Sequence, residues 1–176
     1  MKALIVSDSH GLTGELQELK QKYENTVDIM IHCGDSELSP QQTELHGYQV
    51  VNGNCDFGSS YPNEIIQDVQ GIRFFVTHGH LYNVKATMQN LLYRAKEAGA
   101  HIACFGHSHI MGAEVVDGVL LINPGSILLP RLRREKTYAI VEVEGHDASV
   151  TFYDLSGSIA AQQTFQLGKR KNSLTT

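Results

Sequence analysis

The chain predicts an α/β fold, and three observations carry that expectation. Short continuous apolar runs alternate with amphipathic helical stretches through its first two thirds. Runs of that kind mark strands buried on both faces. Five of the runs stop at clusters of Asp, His, Asn and Gly, and the remaining third is β-rich with hairpin signals.

In chain order, Ala3–Val6 is the first apolar run and stops at Ser7-Asp8-Ser9-His10-Gly11. Thr13 is placed to cap a helix that carries Leu16, Leu19 and Tyr23 on one face. Val27–Cys33 stops at Gly34-Asp35, and Tyr48–Val51 stops at Asn52-Gly53-Asn54. Ile72–Thr77 stops at His78-Gly79-His80, and Ile102–Phe105 stops at Gly106-His107-Ser108-His109. Between these last two, Lys85–Ala98 reads as a helix with Leu91, Leu92 and Ala95 inward and Gly99 as its stop. Ala113–Val116, Val119–Asn123, Thr137–Glu144 and Ala148–Leu155 read as strands. Asp117-Gly118 and Glu144-Gly145-His146-Asp147 supply turns between them. With no internal repeat and no linker, residues 1–168 are expected to form one domain, and the polar stretch 169–176 a flexible basic tail.

Composition narrows the function classes. The 176 residues carry 14 basic and 19 acidic side chains, a formal charge of −5, which argues against general nucleic-acid binding. Aromatic residues are 7% with no Trp, so stacking platforms for single strands are not expected. Three cysteines without a CxxC argue against a disulfide framework or a zinc knuckle. No apolar run approaches the ~20 residues of a membrane helix, and the N-terminus does not read as a signal peptide. A cytoplasmic setting is therefore expected.

Nine histidines are the unusual number. In an open α/β sheet, ligands gather at the carboxyl ends of strands, so the polar clusters are expected to converge. Asp8, His10, Asp35, Asn54, His78, His107 and His109 then supply two carboxylates, four imidazoles and one amide. So many polar groups in one crevice need a charged partner. They are too many for one tetrahedral ion and suit two ions sharing a carboxylate. Nitrogen and oxygen ligation without thiolate fits Mn, Fe, Zn or Ni. Two such ions roughly 3.5–4 Å apart can hold a bridging hydroxide and clamp a phosphoryl group.

The blocks Asp8-Ser9-His10, Gly34-Asp35, Gly53-Asn54-Cys55-Asp56, His78-Gly79-His80 and Gly106-His107-Ser108-His109 resemble the signatures of calcineurin-like metallophosphoesterases. Chain length, the Gly-Asn-Cys-Asp block and Asn123-Pro124-Gly125-Ser126 resemble the small prokaryotic YfcE-type phosphodiesterase branch. The resemblance implies a four-layer α-β-β-α sandwich of two mixed sheets flanked by helices, with a dinuclear site at one sheet edge. It implies Asp8, His10 and His109 on the first ion, Asn54, His78 and His107 on the second, and Asp35 between them. It places the β-rich second half in the other sheet. It also implies Mn as the metal, with Ni, Fe or Zn as alternatives, and a small phosphate ester as substrate. Asp35, Asn54 and His80 are the expected catalytic residues. Cys55 stands where many members carry a phosphate-contacting His, which points towards aryl or otherwise activated esters. Cys33 and Cys104 read as buried small hydrophobes, His32 as a satisfied core histidine, and His46, His101 and His146 as solvated. Arg131, Arg133 and Arg134 read as a solvated loop or as a rim attracting anionic esters.

Two functions follow. The first is metal-dependent hydrolysis of phosphodiesters through a metal-bridging hydroxide, with monoesters as the alternative class. The second is a non-catalytic protein-binding scaffold like the retromer subunit Vps29, which shares the fold. Completeness of the seven candidate ligands favours the first. Homo-oligomerisation is left open.

Overall fold

The computed structural model describes residues 1–168. Among the described residues eleven strands form two sheets, and the expected apolar runs explain most of them. The six-stranded sheet is built on β1 (Lys2–Val6), which pairs in parallel with β2 (Ile29–His32), itself parallel to β3 (Tyr48–Val50). The other side of β1 pairs antiparallel with β9 (Thr137–Glu144), followed by β10 (Asp147–Asp154) and β11 (Ile159–Gln166). The five-stranded sheet has the order β4 (Glu64–Val69), β5 (Ile72–Thr77), β6 (Ile102–Cys104), β8 (Val119–Asn123), β7 (Gly112–Val116). In it β5, β6 and β8 are parallel, and β4 and β7 are antiparallel edges.

Side-chain alternation along a strand separates the layers. Ala3 and Ile5 of β1 face the space between the sheets, where they meet Ile31, Phe74, Ile102, Leu120 and Val141. Leu4 and Val6 face outward onto Leu16, Leu19 and Tyr23 of α1 (Gly14–Tyr23). On the far side, Phe75, Ala103 and Leu121 meet Leu91, Leu92 and Ala95 of α2 (Gln89–Glu97). The result is the four-layer α-β-β-α sandwich with two mixed sheets.

Four expectations need correction. The strands of the second half do not make up a separate sheet: β9, β10 and β11 extend the first one beside β1, while β7 and β8 join β5 and β6. The register Lys2↔Glu142 to Ile5↔Ala139 and the bond from the Met1 ammonium to the Val143 carbonyl hold β9 there. Strands β4 and β11 differ from the expected set, because each is a sheet edge with neither a continuous apolar run nor clean alternation (Glu-Ile-Ile-Gln-Asp-Val and Ile-Ala-Ala-Gln-Gln-Thr-Phe-Gln). Polar residues suit exposed edges and hide the strand pattern. Helix α2 starts at Gln89, later than Lys85, because Asn83 is left-handed (φ 56°) and residues 83–87 form a hydrogen-bonded turn on its carbonyl. Thr13 precedes α1 without a side-chain cap, since its backbone is already helical (φ −113°, ψ −52°). The expected basic tail lies outside the described residues.

Cys33 and Cys104 sit in the inter-sheet core as anticipated, and burial raises both thiol pKa values. Phe74 is fully buried in the same layer. Phe74→Ala should therefore destabilise the protein by about 3–5 kcal/mol, the usual range for a buried aromatic truncation. Chemical denaturation measures it, and a loss under about 1 kcal/mol would mean that the two sheets do not share this core.

Candidate metal centre

Of the five strands that end in polar clusters, β1, β2 and the edge strand β3 belong to one sheet, and β5 and β6 to the interior of the other. The clusters therefore meet where the carboxyl ends of both sheets face each other, and not at one sheet edge. The connecting backbone is unusual. Asp8, His10, Asp35, Glu37, His107 and His109 all have left-handed φ between 43° and 66°. Such φ values are uncommon outside Gly, though Asp and His tolerate them better than most. Their concentration here is the kind of local strain that functional sites hold. Gly53 and Gly106 allow the loops to close up. A β-carbon at position 53 would overlap Asp35, and one at position 106 would overlap Ser7 and Asp8.

Each aspartate has one oxygen pinned and one presented. Asp8 Oδ2 accepts from Ser7 Oγ at 2.6 Å and from His107 N at 3.1 Å. Its Oδ1 is buried without a hydrogen bond, 3.1 Å from His109 Nε2 and 4.0 Å from His78 Nε2. Asp35 Oδ1 accepts from Cys55 N at 2.8 Å, and Oδ2 lies 3.3 Å from His78 Nε2. Both residues are almost fully buried.

The histidines are oriented from behind. His78 Nδ1 donates to the Cys33 carbonyl at 2.7 Å, and His109 Nδ1 donates to the Leu129 carbonyl at 2.7 Å. His10 Nδ1 pairs with the Glu37 carboxylate at 2.6 Å. A bond on one ring nitrogen fixes what the other can do. In the neutral rings Nε2 is then a bare lone pair, and that of His10 is buried without a partner. His78 Nε2 also faces Asn54 Oδ1 at 3.1 Å. Lone pairs and carboxylate oxygens thus converge with no donor between them, a set that fits a divalent cation. Asp8, His10 and His109 form one group with ligand atoms mutually within 4.8 Å, and Asp8, Asp35 and His78 form another.

Protonation follows the same geometry. Burial opposes ionisation of Asp35, but the His78 ring and the Cys55 N–H outweigh it and hold the carboxyl well below the usual range. Burial likewise disfavours a charged His78, yet Asp35 and Asp8 raise its proton affinity. The Asp8 carboxylate beside it does the same for His109. The carboxylates that favour a proton at these rings favour a metal ion there too.

The remaining candidates are placed less tightly. His107 lies with its ring 5.1 Å from that of His78, but its donor atoms join none of the tight groups. Burial, His78 and Lys85 lower its pKa to about 4. His80 stands 5.3 Å from His78 with a buried, unpartnered Nδ1, and burial and His78 lower its pKa. Cys55 Sγ comes within 4.8 Å of His10 and Asp35 ligand atoms, in the place expected for it beside the candidate ligands. Burial and the Asp35 charge push the thiol up to about 11, so it stays neutral and takes a hydrogen bond from Asn54. His32 is satisfied in the core, bonded to Ser9 Oγ and Gly34 N. His46 and His146 are exposed, but His101 is half-buried and accepts from Arg73 N at 2.9 Å.

Supporting residues lacked a sequence role. Asp56 accepts from Asp35 N, Gly53 N, Glu37 N and Ser36 Oγ, tying the Asp35 loop to the Asn54 loop. Asn123 Nδ2 holds the Gly106 carbonyl and Ser108 Oγ, and Ser126 Oγ holds the Asp8 carbonyl. Asp56 and the Asn123–Ser126 stretch were visible as parts of motifs. Glu37 carried no signal.

The profile of the calcineurin-like phosphoesterase superfamily domain matches residues 1–146. The chain is 52% identical over 158 residues to the probable metallophosphoesterase YsnB of Bacillus subtilis, covering 90% of this chain and 94% of that one. It is 28% identical to the phosphodiesterase YfcE of Escherichia coli, over 81% of this chain and 88% of that one. The crystal structure of a predicted phosphoesterase from Streptococcus pneumoniae superposes with TM-score 0.91 at 34% identity, covering 94% and 97% of the two chains. Vps29 of Entamoeba histolytica, solved with zinc, shares the fold: TM-score 0.75 at 17% identity, over 96% and 100% of the chains.

Asp56→Ala should cost about 2–4 kcal/mol, because several buried donors lose their acceptor at once. Denaturant titration together with metal analysis checks it, and unchanged stability with full metal content would deny Asp56 its positioning role.

Proposed function

The chain belongs to the calcineurin-like phosphoesterase superfamily, and on that footing we propose that it is a metal-dependent phosphodiesterase acting in the cytoplasm. Residues 1–168 act as one domain in this reading. The observation that carries it is the convergence of Asp8 Oδ1 and His10 Nε2, both buried without a hydrogen bond, with Asp35 Oδ2 and the Nε2 atoms of His78 and His109. Asp8, His10 and His109 would hold a first ion, Asn54, His78 and His107 a second, and Asp35 would serve both. Manganese suits this ligand set, with nickel, iron or zinc as alternatives. When bound, the two ions activate water and neutralise charge on the phosphoryl group.

The chain's own residues do the rest. Asp35, held ionised by its neighbours, supplies the charge that lets two cations share one crevice. Asn54 contributes a neutral oxygen from a loop fixed through Asp56. His80, with its free Nδ1 near His78 and His107, hydrogen-bonds a phosphoryl or leaving-group oxygen. The neutral Cys55 thiol is a weak proton donor, so esters with good leaving groups are the favoured substrates. Diesters are preferred over monoesters on the relatives named phosphodiesterase.

Asp35→Asn should lower metal-dependent turnover of an aryl phosphodiester by several orders of magnitude, since the amide cannot offset two divalent cations. Steady-state rates with parallel metal analysis measure this, and near-normal turnover would rule out a bridging role. Chelation should abolish turnover but leave the fold, because the sandwich buries its own core without metal. Circular dichroism should stay native while Tm falls through lost ligand linkage. Global unfolding on chelation would show that the metals are structural.

A further inference from the structure

A cleft of about 540 Å³ is lined by Ser108, which stands between the candidate ligands His107 and His109, and by Ile110 and Met111 of the same loop. Its wall is apolar, made by Val84, Met88, Phe105, Ile110, Met111 and Ala113. The polar side chains in that wall are already spent. Asn123 bonds the Gly106 carbonyl, Ser108 Oγ and Gly125 N, and Ser108 Oγ also accepts from Ile110 N. Two cations, Lys85 and Arg131, also line it, and both are exposed. Neither has a carboxylate partner among the described residues, whereas Arg73, Arg94 and Arg133 are all paired.

Both cations are tied to the candidate ligand loops. Arg131 N donates to the His109 carbonyl at 3.0 Å. Lys85 follows Val84, which packs directly over Gly79 between His78 and His80, and its charge is felt at His107. Glu114, the one acid in the lining, sits further along β7. The volume lies in the range of small-molecule sites, which combine apolar walls with a few placed polar groups. Two other clefts lack this character. One, near 870 Å³, carries Asp28, Glu142, Glu144 and Asp147, and its cations, Lys2 and the Met1 ammonium, are bonded to Glu142 and the Val143 carbonyl. The other, near 440 Å³, carries Glu37 and Asp56 and no cation.

We propose that this cleft receives an apolar or aromatic organic group of the phosphate ester, with Lys85 and Arg131 facing the anionic oxygens between cleft and metal centre. The inference rests on the phosphoesterase reading and assigns the chain a substrate class, esters of bulky apolar or aromatic alcohols. Short alkyl esters would leave the cleft unfilled.

The test is equilibrium binding of phenylphosphonate and methylphosphonate to the manganese-loaded full chain by titration calorimetry. Neither compound is turned over, and each has one organic group. The wild type should bind phenylphosphonate about tenfold or more tightly than methylphosphonate, the worth of burying most of a ring. Gly112→Leu, whose side chain enters open space on the Leu121 face of β7, should bring that ratio close to one. Met88→Ala, which removes wall instead of filling space, should lower it several-fold and keeps the test usable if Gly112→Leu does not fold. Equal binding of the two phosphonates by the wild type would overturn the cleft assignment alone, as would an unchanged ratio in both variants. Binding of neither would overturn the metal-centre reading and the cleft with it.

Discussion

Two buried carboxylates organise this molecule. Asp8 and Asp35 each have one oxygen tied down by protein donors and the other turned towards imidazole lone pairs. Ionised groups in the interior need a charged partner. The neighbouring rings, their Nδ1 atoms held by Cys33, Leu129 and Glu37, meet it either as imidazolium ions or by presenting Nε2 lone pairs to a metal cation. The requirement for positive charge is thus built into the fold at the point where four strands from two sheets end. The sandwich makes that arrangement affordable: its cores are apolar and continuous, so the left-handed, strained loops at one end can be held by a scaffold that does not depend on them.

The surrounding layer of hydrogen bonds has a clear division of labour. Asp56 ties the Asp35 and Asn54 loops together, and Asn123 and Ser126 tie the β8 end to the Gly106 and Asp8 loops. Glu37 orients His10. None of these side chains needs to touch a metal. Their effect is to make the ligand positions rigid, which metal sites require as much as the ligands themselves.

Much of this was legible in the sequence, and the reason is physical. Strands buried on both faces leave uninterrupted apolar runs, and the abrupt change to Asp, His, Asn and Gly marks where each run meets the crevice. The strand ends at Val6 and Thr77 fall where those changes predict. Edge strands β4 and β11 escaped notice, because half-exposed strands with Gln, Asp and Glu carry no such run. Sheet membership escaped for another reason. The pairing of β1 with β9 joins residues more than a hundred positions apart, and local patterns hold no information about such partners. Glu37 was unreadable likewise: an exposed acid acquires meaning only once its loop is folded against His10.

The central claim is that Asp35 joins two metal ions within this one crevice. The most direct measurement is metal stoichiometry combined with electron paramagnetic resonance on the manganese-loaded protein. The account predicts two ions per chain and the spectrum of an exchange-coupled pair. One ion per chain at saturation, or two ions with the spectra of isolated centres, would contradict it.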